Sequence, residues 1–239
     1  MCGRFALTTP QTAVLEHFSA APSPKLAERL GNLGPRWNVC PTTDIPVVLN
    51  HDGARLLAPL RWGFIPRWYK APNGGPLLIN ARAETIAEKP AFRDAARARR
   101  CLIPADGFYE WLRDAEPKHP FWLRPAAGPP EGSLFAFAAV WEIWRGPEGA
   151  PPIAACAMVT TAASETIASI HHREPVTIAP ENYGLWLGEA GRGAARLMRA
   201  AEPGFWAFHE VSRRVNGVKD DDPQLIDPID PPDACPPDA

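Results

Sequence analysis

Cys2 sits one residue behind Met1, a position that gives it chemistry no internal thiol has. Methionine aminopeptidases remove an initiator methionine readily when the second residue is small, as cysteine is. The mature chain then begins with an α-amine and a thiol on adjacent carbons. This 1,2-aminothiol closes on an aldehyde to give a five-membered thiazolidine. Reference pKa values of roughly 7.7–8.0 for the amine and about 8.5 for the thiol leave both partly nucleophilic at neutral pH.

Three other segments hold groups suited to such a centre. In Asn80-Ala81-Arg82-Ala83-Glu84, an extended chain puts residues 80, 82 and 84 on one face, just after the apolar run Leu77-Leu78-Ile79. Amide and guanidinium donors there fit a sugar–phosphate backbone. Glu110 lies between Tyr109 and Trp111. Desolvation by aromatics raises a carboxyl's pKa and lets it carry a proton near neutrality; the alternative is an outward residue of an alternating strand. His171 and His172 occupy a polar, loop-like segment where a general acid or base is commonly mounted. Two adjacent histidines with no third ligand nearby are weak grounds for a metal. Around Trp37-Asn38-Val39-Cys40-Pro41 and Arg61-Trp62-Gly63-Phe64-Ile65-Pro66-Arg67-Trp68, aromatics interleave with basic residues and prolines. Such surfaces stack bases and grip phosphates, with Trp62 expected in the core and Trp68 exposed.

These groups need a scaffold, and 239 residues suit one domain with a substantial core. The 29 prolines imply short elements and fixed loops. Five widely spaced cysteines without a CxxC argue against a disulfide framework or structural zinc and fit a reducing cytosol. No signal-like or membrane-spanning run is present, so a cytoplasmic protein is expected. Net charge is −2, yet residues 220–239 hold seven Asp and no Lys or Arg, leaving residues 1–219 with a net charge of +5. A modestly basic body with a detachable acidic tail is compatible with a phosphate-binding patch.

Strand-like runs at 4–7, 45–50, 54–61, 77–80, 101–105, 107–111, 119–124, 134–143, 153–161, 176–178 and 205–208 outnumber helical patterns. The helical patterns fall at 91–99, 162–168, 180–187 and 189–200, with a short one at 24–30 and an early helix with Pro10 in its first turn and a Val14, Leu15 and Phe18 stripe. Thr8 and Gln11 read as a capping box. Strands and helices do not alternate as βαβ units, so an α+β domain with a curved, mainly antiparallel sheet system is expected. One domain over 1–226 would be followed by a disordered Pro/Asp-rich tail, 227–239.

Taken in order, several segments resemble the SRAP family, the SOS response-associated peptidases or abasic-site processing proteins. They include Met1-Cys2-Gly3-Arg4-Phe5, Arg36-Trp37-Asn38 with Pro41-Thr42, Arg61-Trp62-Gly63-Phe64-Ile65-Pro66 and Asn80-Ala81-Arg82-Ala83-Glu84-Thr85. Further matches are Arg100-Cys101-Leu102-Ile103-Pro104-Ala105-Asp106-Gly107-Phe108-Tyr109-Glu110-Trp111, Ile170-His171 to Pro175-Val176, and Val211-Ser212 to Val215-Asn216. The resemblance implies a family fold around a barrel-like β core, and covalent capture of abasic sites in single-stranded DNA by the N-terminal cysteine. It places the cysteine at Cys2, a positioning asparagine at Asn80, a catalytic glutamate at Glu110 and a histidine at His171. Phosphate-binding arginines fall at Arg4 and Arg82, while Pro41 and Trp68 shape the DNA bend. No cofactor, metal or membrane is expected, nothing requires more than a monomer, and the expected partner is abasic single-stranded DNA, stalled fork junctions included. Self-removal of Met1 and minor lyase activity are compatible with the resemblance.

Three positions depart from the family pattern: Cys40 for alanine, His172 for aspartate and Glu174 for a hydrophobic residue. Two other functions use the same residues. Cys2, His171 and Glu110 are also the parts of a thiol peptidase, and Trp68, Arg4 and Arg82 those of a non-covalent single-strand-binding module.

Overall fold

Runs of β-branched and aromatic residues cut short by Pro, Gly and Asp make strands the dominant element. The computed structural model describes residues 2–30, 34–113, 117–129 and 132–229. Along the chain come β1 (Arg4–Leu7), α1 (Gln11–Phe18), β2 (Ala21–Pro22), α2 (Leu26–Leu30), β3 (Arg36–Val39), β4 (Asp44–His51), β5 (Ala54–Trp62) and β6 (Asn80–Arg82). Then follow α3 (Arg93–Ala98), β7 (Arg100–Ala105), β8 (Gly107–Trp111), β9 (Pro120–Pro125), β10 (Phe135–Trp144), β11 (Ile153–Ala162) and α4 (Glu165–Ala168). The last are β12 (Arg173–Pro175), α5 (Tyr183–Leu187) and β13 (Trp206–Glu210).

The strands form two sheets. The smaller is wholly antiparallel, in the order β13-β9-β8-β1-β3. The larger runs β12-β11-β10-β7-β4-β5-β2, with β6 beside β11, and mixes antiparallel pairs with the parallel pairs β11–β6, β11–β5 and β2–β5. The α+β class therefore holds and most pairings are antiparallel, but the larger sheet is mixed and the expected barrel-like core is not formed. The strands divide between two sheets, and β12 and β2 end the larger one without pairing to each other. β5 meets β11 only at Arg61–Ala155 and Trp62–Cys156, a contact that curls the sheet without closing it into a barrel. The physical reason is local. Gly63 takes φ +143°, a conformation that glycine tolerates, and turns the chain out of β5. The chain returns as β6, which occupies the next stretch of the β11 edge, Met158–Thr160.

Aromatics join the sheets face to face. Phe5 of β1 packs edge-on against Trp62 and Phe137 of the larger sheet, with centroids 5.3 and 6.2 Å apart. Phe108 of β8 meets Phe137 at 5.9 Å. Trp62 is core, as expected, and its Nε1 donates to Ile79 O at 3.1 Å. The Asp106-Gly107 turn does not make a hairpin; it carries the chain from β7 in one sheet to β8 in the other. Any side chain at Gly107 would collide with the Trp122 ring.

Asp106 also explains why Thr8 does not cap α1. Both Asp106 oxygens are taken by the Thr8 and Thr9 hydroxyls and backbone N–H groups, at 2.6–3.0 Å, and α1 starts after Pro10 with no side-chain cap. At the other end of the chain, Asp221 accepts from the N–H groups of Trp37 and Asn38. The first aspartates of the expected acidic tail are thus part of the domain. Pro228 bridges to Val211, while residues 230–239 of that tail lie outside the described residues.

Candidate functional site

Cys2 lies where the two sheets meet. β1 and β8 pair with Arg4 opposite Tyr109, and continuing this register sets Gly3 opposite Glu110. From the other sheet, Asn80 Nδ2 at the start of β6 donates to Cys2 O at 3.0 Å. The same β11 that aligns Asn80 with Met158 pairs Ala162 with Arg173, two residues beyond His171. One strand thus sets the spacing between the asparagine and the histidine.

Burial dominates the electrostatics. Cys2 is 1% exposed, and its thiol is pushed well above the ordinary cysteine value, first by desolvation and then by the nearby Glu110 carboxylate. Its sulfur lies 3.7 Å from Arg4 O. Glu110 is 3% exposed, so it is not an outward strand residue. Desolvation raises its carboxyl above the usual range, against a 3.2 Å hydrogen bond from Trp111 N–H to Oε1. A carboxyl held this way is suited to pass protons near neutrality. Asn80 Oδ1 is buried and has no hydrogen-bond partner among the described residues.

His171 is half-buried, and desolvation lowers its pKa below the ordinary histidine value. Its Nδ1 is held by the Arg173 backbone, 3.0 Å from the N–H and 3.2 Å from the carbonyl oxygen, which turns Nε2 away from that backbone. The Arg173 side chain is buried and forks onto both Glu84 oxygens at 2.7 and 2.9 Å, with Thr160 O at 2.7 Å. Glu84 falls to about 2, chiefly through this hydrogen-bonded pairing. The Glu84–Arg173 pair therefore ties the turn after Asn80 and Arg82 to the residue that orients His171.

The four residues expected to touch DNA are spread around this centre. Arg4 is already engaged: Nη1 donates to Asn38 Oδ1 at 2.9 Å and Val215 O at 2.6 Å, and Nη2 to Asn216 O at 3.3 Å. Arg82 is exposed, and its side chain makes no hydrogen bond or ion pair among the described residues, while its carbonyl accepts from Thr85 N–H at 3.1 Å. Trp68 is 59% exposed, edge-on to Tyr69. Its turn is pinned by Arg67 to Glu142 at 2.8 Å and by Trp144 Nε1 to Tyr69 O at 2.8 Å. Pro41 is half-buried in the turn after β3, where Thr42 takes a positive φ of 69°.

Of the departing residues, Glu174 is buried and satisfied by Ser164 and the Ala201 N–H. Cys40 is buried, its thiol near Asn38 O, and burial raises its pKa. His172 is exposed against His171. Sequence reasoning missed Asn38, which is buried between Arg4 and the carbonyls of Val215, Gly217 and Asp220. Its only signal was an amide inside an apolar strand. It also missed Arg173, a cation directly after the histidines, and Asp221. Among the described residues, no three of His, Cys, Asp and Glu gather as a metal site.

Comparison with known proteins bears on the whole of this arrangement. The family model for SOS response associated peptidase (SRAP) matches residues 1–218. Abasic site processing protein YoqW of Bacillus subtilis is 38% identical over 231 residues, covering 95% of this chain and 99% of the relative. Abasic site processing protein YedK of Escherichia coli is 30% identical over 236 residues, covering 96% and 100%. A crystal structure of a Bacteroides thetaiotaomicron protein superimposes with a TM-score of 0.83 at 20% identity, covering 95% of this chain and all of that one, which shows the fold alone.

Proposed function

The chain belongs to the SRAP family, and from that premise we propose that it captures abasic sites in single-stranded DNA covalently, through Cys2 after Met1 is removed. Abasic-site processing is what its curated relatives are named for. The observation that carries the finer reading is the hydrogen bond from Asn80 to Cys2 O, made beside a buried Glu110. It fixes the cysteine backbone against an acid–base group, the arrangement that an N-terminal nucleophile needs.

An abasic deoxyribose is partly open as a C1′ aldehyde. The freed Cys2 amine adds to C1′, and loss of water leaves an imine. The sulfur then adds to the same carbon, the S–H proton passes to nitrogen, and a thiazolidine closes with one water released overall. Glu110, whose burial raises its pKa, relays these protons. Asn80 Oδ1, buried without a partner among the described residues, is placed to accept from the freed amine. His171, held through Nδ1 by the Arg173 backbone, passes a proton to the sugar oxygen that departs on ring opening. Ring closure withdraws the imine that would otherwise acidify C2′ and lead to strand cleavage. Arg82 and Trp68 hold the flanking strand by phosphate contact and stacking. We place this activity in a cytoplasmic monomer working on single strands and stalled junctions.

The test incubates purified protein with single-stranded DNA carrying one abasic site. A heat-stable adduct is expected, and it should vanish in Cys2→Ala and in protein that retains Met1. Turnover of peptides without an aldehyde-dependent adduct, or reversible binding untouched by Cys2→Ala, would refute the proposal.

A further inference from the structure

His172 is the one imidazole at the site that the capture chemistry leaves unused. Its ring lies against that of His171, with centroids 4.4 Å apart and planes at 33°. Arg113 Nη1 stands 3.4 Å from His172 Nδ1. A guanidinium can only donate, so Nδ1 is the acceptor and the neutral ring presents Nε2–H. His171 is held through its own Nδ1 by the Arg173 backbone, so His172 is the ring whose Nε2–H donor these contacts define.

The backbone fixes this pairing. Arg113 N donates to Ile170 O at 3.2 Å, which fastens the chain after β8 to the loop that carries both histidines. Leu112, Arg113 and residues 168–172 line an open surface cavity there. Lys118 Nζ donates to Arg113 O at 3.0 Å and brings another cation to the rim. The only side chain hydrogen-bonded to Arg113 among the described residues is that imidazole, and no described carboxylate pairs with the guanidinium. A planar guanidinium fork beside an imidazole N–H matches two oxygens of a phosphodiester.

We propose that Arg113 and His172 form a phosphate-binding subsite, which takes the phosphodiester adjoining the sugar held at His171. Its location beside the sugar rests on the capture reading above; the phosphate chemistry does not. Arg113 would carry the charge, and His172 the neighbouring donor that aspartate would replace with a repelling anion.

The probe is single-stranded DNA with a central tetrahydrofuran residue, an abasic analogue without an aldehyde, so that binding is measured apart from capture. Arg113→Ala should weaken binding roughly fivefold, the size of one partly exposed charged contact. It should also flatten the dependence of log affinity on log salt by about 0.7, as loss of one phosphate contact to a single strand does. His172→Asp should weaken binding at least as much. Replacing one particular flanking phosphate by a neutral methylphosphonate should abolish the difference between wild type and Arg113→Ala, since the variant and the altered strand then lack the same contact. Unchanged affinity and slope in both variants, or a deficit that persists whichever phosphate is neutralised, would overturn the subsite. Adduct formation by wild type on an authentic abasic strand is measured in parallel. No adduct there would refute the capture reading, whereas a normal adduct with no Arg113 effect would refute this inference alone.

Discussion

Glu84→Gln separates the ion pair at the site from the shape around it. The glutamine keeps the side chain's size and one carbonyl acceptor, and Arg173 retains its bond to Thr160 O. What disappears is the carboxylate charge of Glu84, whose pKa the pairing with Arg173 holds at about 2 instead of an ordinary 4.5. For a sheltered carboxyl, that depression would correspond to about 3 kcal/mol of stability. The Glu84 side chain is 46% exposed, however, and solvent screening reduces the expected contribution to about 1.5 kcal/mol. Because the folded-state value lies below the unfolded one, this stability is complete above about pH 5 and drains away as pH falls towards 2.

Urea unfolding of wild type and Glu84→Gln between pH 7 and pH 2 measures this directly. The variant should be less stable by about 1.5 kcal/mol at pH 7, with the gap closing as the wild-type carboxyl takes up its proton. Adduct formation at pH 7 should slow while affinity for tetrahydrofuran-containing DNA holds, because the pair spaces Asn80 from His171 and does not face the strand. A gap that stays constant from pH 7 to pH 2, or no gap at pH 7, would refute the ion-pair account.

Glu110→Gln should lower the capture rate by about 10²–10⁴-fold, the usual share of a proton relay. The same change should raise the melting temperature at neutral pH: a carboxyl raised by burial favours the folded state below the unfolded pKa and loses that benefit as pH rises through the folded one. Calorimetry from pH 4 to pH 8 should show the variant's advantage growing with pH. Trp68→Ala should cost about 1–3 kcal/mol in single-strand affinity, read by fluorescence anisotropy, and almost nothing in stability, since the ring is largely exposed. Asn38→Ala should destabilise by about 3 kcal/mol in denaturant melts, because it strips a donor from the Gly217 and Asp220 carbonyls and an acceptor from Arg4. It should also weaken DNA binding by freeing the Arg4 side chain.

Chemistry was more legible in this sequence than topology. Cys2, Asn80, Glu110 and the His171-His172 pair stand out as reactive or polar groups beside apolar residues. It is the family resemblance, however, that assigns roles to Cys2, Asn80, Glu110 and His171; the fold then joins Asn80 to Cys2 beside a buried Glu110. Alternation identifies a strand but not its partner. Asp106-Gly107 reads as a turn between two apolar runs, and only the pairing of β7 and β8 in different sheets shows that it is a crossing. The apolar periodicity at 189–200 suggested a helix. Gly191 and Gly193, at φ 85° and 114°, break it down to one 3-10 turn at Ala194–Leu197. The acidic terminus looked like a solvated tail because composition does not show that Asp221 is spent on the backbone of β3.

Reference pKa values also mislead about Cys2, and the error bears on the order of bond formation. A free aminothiol would offer its sulfur as a partial thiolate at neutral pH. Burial and the Glu110 charge push this thiol far above that range, so the resting group is an S–H, a poor nucleophile. Asn80 meanwhile holds the adjoining carbonyl and leaves an unfilled acceptor for an amine. In the proposed capture, the first bond to C1′ is then the nitrogen's, and the sulfur follows once an imine stands within its reach, with Glu110 taking the S–H proton and delivering it to nitrogen. A buried thiol reserved in this way is shielded from stray oxidants and electrophiles until an aldehyde is already attached to the neighbouring amine.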